Sequence, residues 1–182
     1  MDKFGLRDLV APFYSKRGGD CRFDHAERIE GIVTRWQKEG QDELDEDLLI
    51  ATAYLYAISE DILPFHTTRV GIEAWFVEQG WGNARIRGLM RSMERLPDQP
   101  KSMEEKLVAD ADTVCRLGLI GLTRAMLVGG QRGESIAEVL ARVQQDLYRR
   151  AYTAPGQREI VPLKSRLKDL AEELRNLTGD GR

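Results

Sequence analysis

Apolar positions recur at three- and four-residue spacing along most of this chain. No segment alternates convincingly with period two, so the pattern predicts helices and no sheet. Leu6, Leu9, Val10 and Phe13 fit a short first helix that ends at Pro12 or soon after. Lys16-Arg17-Gly18-Gly19 reads as a loop. Asp24 is placed to cap a second helix, with Glu27 at the capping-box position and His25 as the first helical residue. Ile29, Ile32 and Trp36 form its inward stripe, and Gly40 stops it. The acidic run from Asp42 to Asp47 suits a helix start. It leads into LLIATAYLYAIS, which is apolar on nearly every side and therefore predicts the central buried helix. That helix ends near Ser59-Glu60-Asp61, before Pro64.

The second half reads the same way. Thr68 to Gln79 carries Val70, Ile72, Trp75, Phe76 and Val77, with Gly80 as its C-cap. Asn83 caps a helix from Ala84 to Arg95, and Pro97 and Pro100 bracket a loop. Ser102 and Glu105 form a capping box that opens one long helix through KLVADADTVCRLGLIGLTRAM to Met126. Gly129, Gly130 and Gly133 break the chain. Ser135 and Glu138 form a further box at the start of a helix from Ile136 to Arg150. A loop from Thr153 to Glu159 follows. Pro162 suits a first helical position, and Leu163, Leu167, Leu170, Leu174 and Leu177 make one apolar seam. That seam is little more than two heptads long, so it reads as packing within the domain rather than as a coiled coil. Trp36, Trp75 and Trp81 read as core or rim residues. The expected architecture is all-α: a single domain over residues 1–182, of about seven helices packed ridge into groove. Its core spans residues 20–177, with the first twenty residues peripheral.

Composition narrows the function classes. The chain has 182 residues, a formal charge of -3, 42% apolar and 31% charged residues; these are the proportions of a globular domain with a proper core. Mild acidity gives no broad basic surface, which disfavours nucleic-acid binding. Cys21 and Cys115 match no metal or redox spacing and read as reduced thiols. The start of the chain has no apolar signal core, and Leu48 to Ile58 is too short to span a bilayer, so a cytoplasmic protein without membrane contact is expected. Candidate chemistry begins with Asp110 and Asp112, two acids inside an apolar helical run. An acid taken out of water must be paired, hydrogen-bonded or bound to metal. Asp110 lies one turn from Lys106 and Asp112 one turn before Arg116, so two ion pairs are the plain reading. His25 at a helix start is, by itself, a ring that packs and bonds a loop.

The order of these pieces resembles a known family. His25-Ala-Glu-Arg-Ile29 opens an amphipathic helix, a buried helix runs from Leu49 to Ile58, and an Asp-Ala-Asp run from Lys106 to Asp112 leads into Leu117-Gly-Leu-Ile-Gly-Leu-Thr-Arg124-Ala. This is similar to the HD superfamily of metal-dependent phosphohydrolases, especially its small bacterial single-domain members. Those carry a stretch of the form K-I-x-x-D-A-D-x-L-D-x-L-G-x-I-G-x-x-R-A, which residues 106–125 match at most positions. The resemblance covers residues 20–175. It implies a divalent metal held by a first His, an adjacent His-Asp pair and a late Asp. By position, the first His is His25 and the late Asp is Asp112. Tyr56 stands where the His of the pair belongs and Ala57 where its Asp belongs. The extra histidines that many members place before the late loop are missing from Met90-Arg91-Ser92-Met93.

With two histidines in the chain, a full family ligand set is not available. Two ligands hold Mg²⁺ or Mn²⁺ weakly, and a neutral phenol is a poor substitute. No cofactor is therefore expected; an active form would need a divalent ion such as Mn, Mg or Fe. Glu60, Asp61 and His66 are the substitutes within reach of the lost pair. Tyr56, Ala57, Arg28, Arg91 and Asp110 are expected to line the pocket, with Arg124 a further candidate for an anion. Three functions follow. The first is a degenerate HD domain, a pseudoenzyme that binds a nucleotide or another phosphorylated small molecule, or a protein partner. The second is an active phosphohydrolase of nucleotides or other phosphate monoesters with an atypical ligand set. The third is an interaction or homodimer module whose pocket is filled by Tyr56 and Met93.

Overall fold

The computed structural model describes residues 1–16, 23–39, 44–96 and 98–178. Among them are ten α-helices and no strand: α1 (Lys3–Lys16), α2 (Phe23–Glu39), α3 (Glu46–Tyr56), α4 (Ser59–Ile62), α5 (His66–Glu78), α6 (Asn83–Arg95), α7 (Met103–Leu117), α8 (Leu119–Arg132), α9 (Ile136–Gln145) and α10 (Ala154–Thr178), with a 3-10 turn at Asp146–Tyr148. The expected all-α class is what the chain adopts. Contacts divide it into two compact units, residues 1–109 and residues 110 onward, with the boundary inside α7.

The first unit is built around α3, the helix expected to be central. Every residue from Leu49 to Tyr56 is buried, so helix formation here is driven by burial on all sides. Asp45 caps it, its carboxylate accepting the Leu48 N–H at 3.0 Å, in the geometry that satisfies an orphan donor of the first turn. Leu6, Val10 and Tyr14 of α1 lie in the same cluster as Tyr54, Phe76 and Leu89. The N-terminal residues are therefore core and not peripheral. Their stripe is i, i+4, i+8, carried by Tyr14 and not by the half-buried Phe13. α1 also runs through Pro12 to Lys16. Gly80 follows α5 at φ +80°, and the Trp81 N–H returns to the Phe76 carbonyl at 3.0 Å, the close expected of a C-terminal glycine.

Several boundaries differ from the expected ones. α2 starts at Phe23, so Asp24 lies inside the first turn, where it pairs with Arg28, and Glu27 pairs with Arg7 instead of closing a box. Gly82, not Asn83, caps α6. At α7 Ser102 caps Glu105, but the Glu105 carboxylate turns to the Lys101 N–H (2.7 Å) and to Arg95. The box at Ser135 and Glu138 is complete, as expected. Residues 17–19, Cys21, Gly40, Asp42 and Pro97, and the side chain of Leu177, fall outside the described residues.

In the second unit the predicted long helix is broken. Gly118 is extended (ψ 170°) and separates α7 from α8. Gly121 shows why the break is tight: a Cβ there would lie 2.1 Å from the Arg116 carbonyl oxygen and 2.5 Å from that of Cys115. Gly121→Ala is accordingly expected to lower the melting temperature by about 5 °C or more, a cost of about 2 kcal/mol for forced backbone movement, checked by thermal unfolding followed by circular dichroism. Gly129 and Gly130 stay inside α8, and Gly133 (φ +71°) ends it. The last helix begins at Ala154, eight positions before Pro162, because Thr153 supplies a cap: its hydroxyl accepts the Gly156 N–H at 3.1 Å. Leu117, Leu140, Ile160 and Leu167 anchor the core of this unit, with Leu163, Leu170 and Leu174 packed on its edge. The leucine seam is therefore mainly internal, as expected.

Candidate functional site

In the first unit, His25 projects from the opening turns of α2 and is 4% exposed. Arg28 lies one turn on. It gives Nη1 to the Asp24 carboxylate at 2.9 Å, while its Nε and Nη2 are shielded from water and meet no hydrogen-bond acceptor. An unsatisfied guanidinium edge is costly, since each buried donor without a partner loses about 1–3 kcal/mol. Tyr56 and Ala57 are the last residue and the C-cap of α3. Tyr56 is 7% exposed and Ala57 is half-buried. Thr52, one turn before Tyr56, is fully buried, and its hydroxyl has no hydrogen-bond partner.

The proposed substitutes do not assemble. Glu60 and Asp61 sit in the short helix α4, and His66 opens α5 in an exposed position. Among the described residues no three His, Cys, Asp or Glu side chains come together so as to hold a metal ion. Glu60, Asp61 and His66 form no such group, and after Pro64 the chain turns into a solvated helix start. Arg91 is exposed on α6, and Met93 belongs to the first unit's core.

In the second unit Asp110 and Asp112 are both fully buried and serve different partners. Asp110 was expected to pair with Lys106; its carboxylate instead holds the start of α10. The Tyr152 N–H donates to Oδ1 at 2.9 Å, the Thr153 N–H to Oδ2 at 2.8 Å and the Thr153 hydroxyl to Oδ2 at 2.6 Å. Asp112 pairs with Arg116, as its i, i+4 spacing predicts, through Nε at 2.8 Å. A second guanidinium, Arg149, reaches the same Oδ2 at 3.1 Å and Asp146 at 2.7 Å. Arg149, Tyr152 and Thr153 are the residues that sequence reasoning missed. Nothing in their local sequence marks them, because their partners stand 37 to 43 positions away.

Burial lifts the Asp110 carboxyl above the usual carboxylate range, and the hydrogen bonds from Thr153 and Tyr152 pull it only part of the way back. A folded value above the unfolded one means that this group's contribution to stability is complete below the unfolded pKa and is lost as pH rises through the folded pKa. As pH rises above about 4, the ordinary carboxylate value, Asp110→Asn should therefore show a weaker pH dependence of stability than wild type, measured by urea unfolding.

The all-helical fold matches known structures along nearly its whole length. Bacillus subtilis YpgQ is 15% identical, with a TM-score of 0.70 over 97% of each chain. The same protein in complex with ADP is 14% identical, with a TM-score of 0.70 over 93% of this chain and 96% of that one. The Lin1889 protein of Listeria innocua is 18% identical, with a TM-score of 0.72 over 96% of each. At these identities the likeness shows a shared fold. No family model matches the chain, and no curated protein does. Among the described residues no single helix is long and apolar enough to cross a membrane.

Proposed function

We propose that this protein is an HD-like domain whose hydrolytic centre has been dismantled, and that it binds an adenine-nucleotide-like phosphorylated ligand without hydrolysing it. The observation that carries this reading is the double arginine clamp on Asp112. A divalent ion taking that carboxylate would have to share it with both guanidinium groups. Even at an effective dielectric of about 20, each would repel it by several kcal/mol, less for Arg116 where solvent screens part of the charge. The missing pair at Tyr56 and Ala57 adds to this, since a neutral phenol and a methyl group supply no anionic donor. The residues at the family's metal positions therefore do not fit a divalent metal.

Two observations support a phosphorylated ligand. One similar structure, the YpgQ complex, contains ADP. In this chain, the free Nε–Nη2 edge of Arg28 is the fork that matches a phosphate bidentately. A ligand would have to draw that side chain outward, gaining two charge-assisted hydrogen bonds that the unliganded protein lacks.

The test is thermal unfolding with millimolar ADP in EDTA, followed by calorimetric titration. A ligand that binds only the native form raises the melting temperature by mass action. A shift with ADP that persists in EDTA, and that falls by more than half in Arg28→Gln, is the expected result. A shift that appears only with Mn²⁺, together with phosphate release, would instead favour the phosphohydrolase reading. Its absence under both conditions would leave the interaction module.

A further inference from the structure

The second unit carries an apolar groove of about 340 Å³ between the start of α8 and α10. Leu119, Leu122, Leu163 and Leu170 line it, and Leu119 is 75% exposed, with Ile120 beside it at 56%. Arg166, Asp169 and Glu173 stand along its α10 wall. Among the described residues none of these three has an ionic or hydrogen-bonding partner. Exposed Leu119 beside the half-buried Leu163 and Leu170, bounded by unpaired charges of both signs, has the features of a surface that meets another surface.

The order of the charges says which surface. On α10, Leu163, Arg166, Leu170 and Glu173 follow one another at spacings of three, four and three, so they share one stripe of the helix. Arg166 lies toward the N-terminal end of the stripe and Glu173 toward its C-terminal end, with Asp169 between them beside Leu170. Arg166 and Glu173 are about 10 Å apart along the axis at 1.5 Å per residue, with Leu170 near their midpoint. A two-fold axis passing close to Leu170 would turn this stripe onto itself antiparallel. Arg166 of each copy would then face Glu173 of the other, and the two Leu170 side chains would meet at the axis. We infer that this groove is an isologous self-association face, and that its occupant is α10 of a second copy of this chain.

The two-fold relation makes each residue count twice. A foreign helix needs no such symmetry of charge, so charge reversal separates the two occupants. The contact covers only a few helical turns, which places it in the weak class of interfaces. Sedimentation equilibrium of the full chain over about 5–200 µM is expected to show a reversible monomer–dimer equilibrium. Arg166→Glu sets like charges opposite each other twice and should raise the dissociation constant about ten-fold or more. Glu173→Arg should do the same. The double reversal, Arg166→Glu with Glu173→Arg, restores both pairs and should return the constant to within about three-fold of wild type. Leu119→Asp, at a solvent-exposed position, should give a monomer with an unchanged melting temperature. A wild-type protein that stays monomeric at 200 µM overturns the inference. So does a dimer that is indifferent to Arg166→Glu, or one that the double reversal fails to restore.

Discussion

Asp112→Ala is expected to destabilise the protein by about 2–4 kcal/mol, a fall of about 5–12 °C in melting temperature for a chain of this size. The carboxylate is fully buried and answers two guanidinium groups at 2.8 and 3.1 Å. Removing it leaves Arg116 and Arg149 facing each other without the anion they share, although Arg149 keeps Asp146. The cost falls short of the larger losses seen for wholly buried pairs, because both arginines keep a solvated side and can rehydrate: their side chains are 41% and 27% exposed. An aspartate whose role is to await a metal behaves in the opposite way. It is a buried negative charge without compensation in the apo state, and its removal stabilises the protein or leaves it unchanged. Equilibrium unfolding in urea, with EDTA present, reads the sign directly. Double-mutant analysis adds a check, since Asp112→Ala and Arg149→Ala should be strongly non-additive.

Asp110→Ala is expected to cost at least as much, about 3–5 kcal/mol, through a different mechanism. Three donors from Tyr152 and Thr153 converge on this carboxylate, and each loses an acceptor at a site closed to water. The same change unseats Thr153, whose hydroxyl caps α10 through the Gly156 N–H. Gly156→Ala should give a comparable loss without altering any charge, because a Cβ there would lie 2.1 Å from Asp110 Oδ2 and 2.5 Å from its Cγ. The close approach of backbone to carboxylate requires a residue with no side chain at position 156. Both variants should unfold the start of α10 first. Amide hydrogen exchange at residues 156–160 should rise well beyond the change in global stability. Equal protection across the unit would mean that the anchor at Asp110 is not what holds the helix start.

How far the sequence could be read follows from the range of each interaction. Periodicity and burial are written locally, so helix type, the apolar helix α3 and the capping box at Ser135 were legible. The break at Gly118 was not. LGLIGLTRAM continues the apolar period without interruption, and only the crowding of Gly121 against the Arg116 carbonyl reveals the turn. The start of α10 was missed for a similar reason. Thr153-Ala-Pro-Gly looks like loop, and Pro162 like a first helical position, until Asp110, far back in the chain, is seen to hold Thr153. At the candidate site the place of Tyr56 and Ala57 at the end of the buried helix α3 could be read from the apolar run. The Asp112–Arg116 pair could be read from its spacing. The second guanidinium, Arg149, could not, since a lone arginine before an irregular stretch carries no sign of its partner. The assignment of Asp110 to Lys106 failed because helical spacing permits an ion pair, but the buried donors at Tyr152 and Thr153 compete for the same oxygens and win.

The most direct measurement is calorimetric titration of the metal-free protein with Mn²⁺, run beside a phosphate-release assay on a nucleotide panel. The predicted result is no saturable Mn²⁺ binding below about millimolar concentration and no phosphate release above the protein-free control. Saturable micromolar binding of Mn²⁺, with phosphate release lost in both His25→Ala and Asp112→Ala, would contradict the claim that the centre has been dismantled.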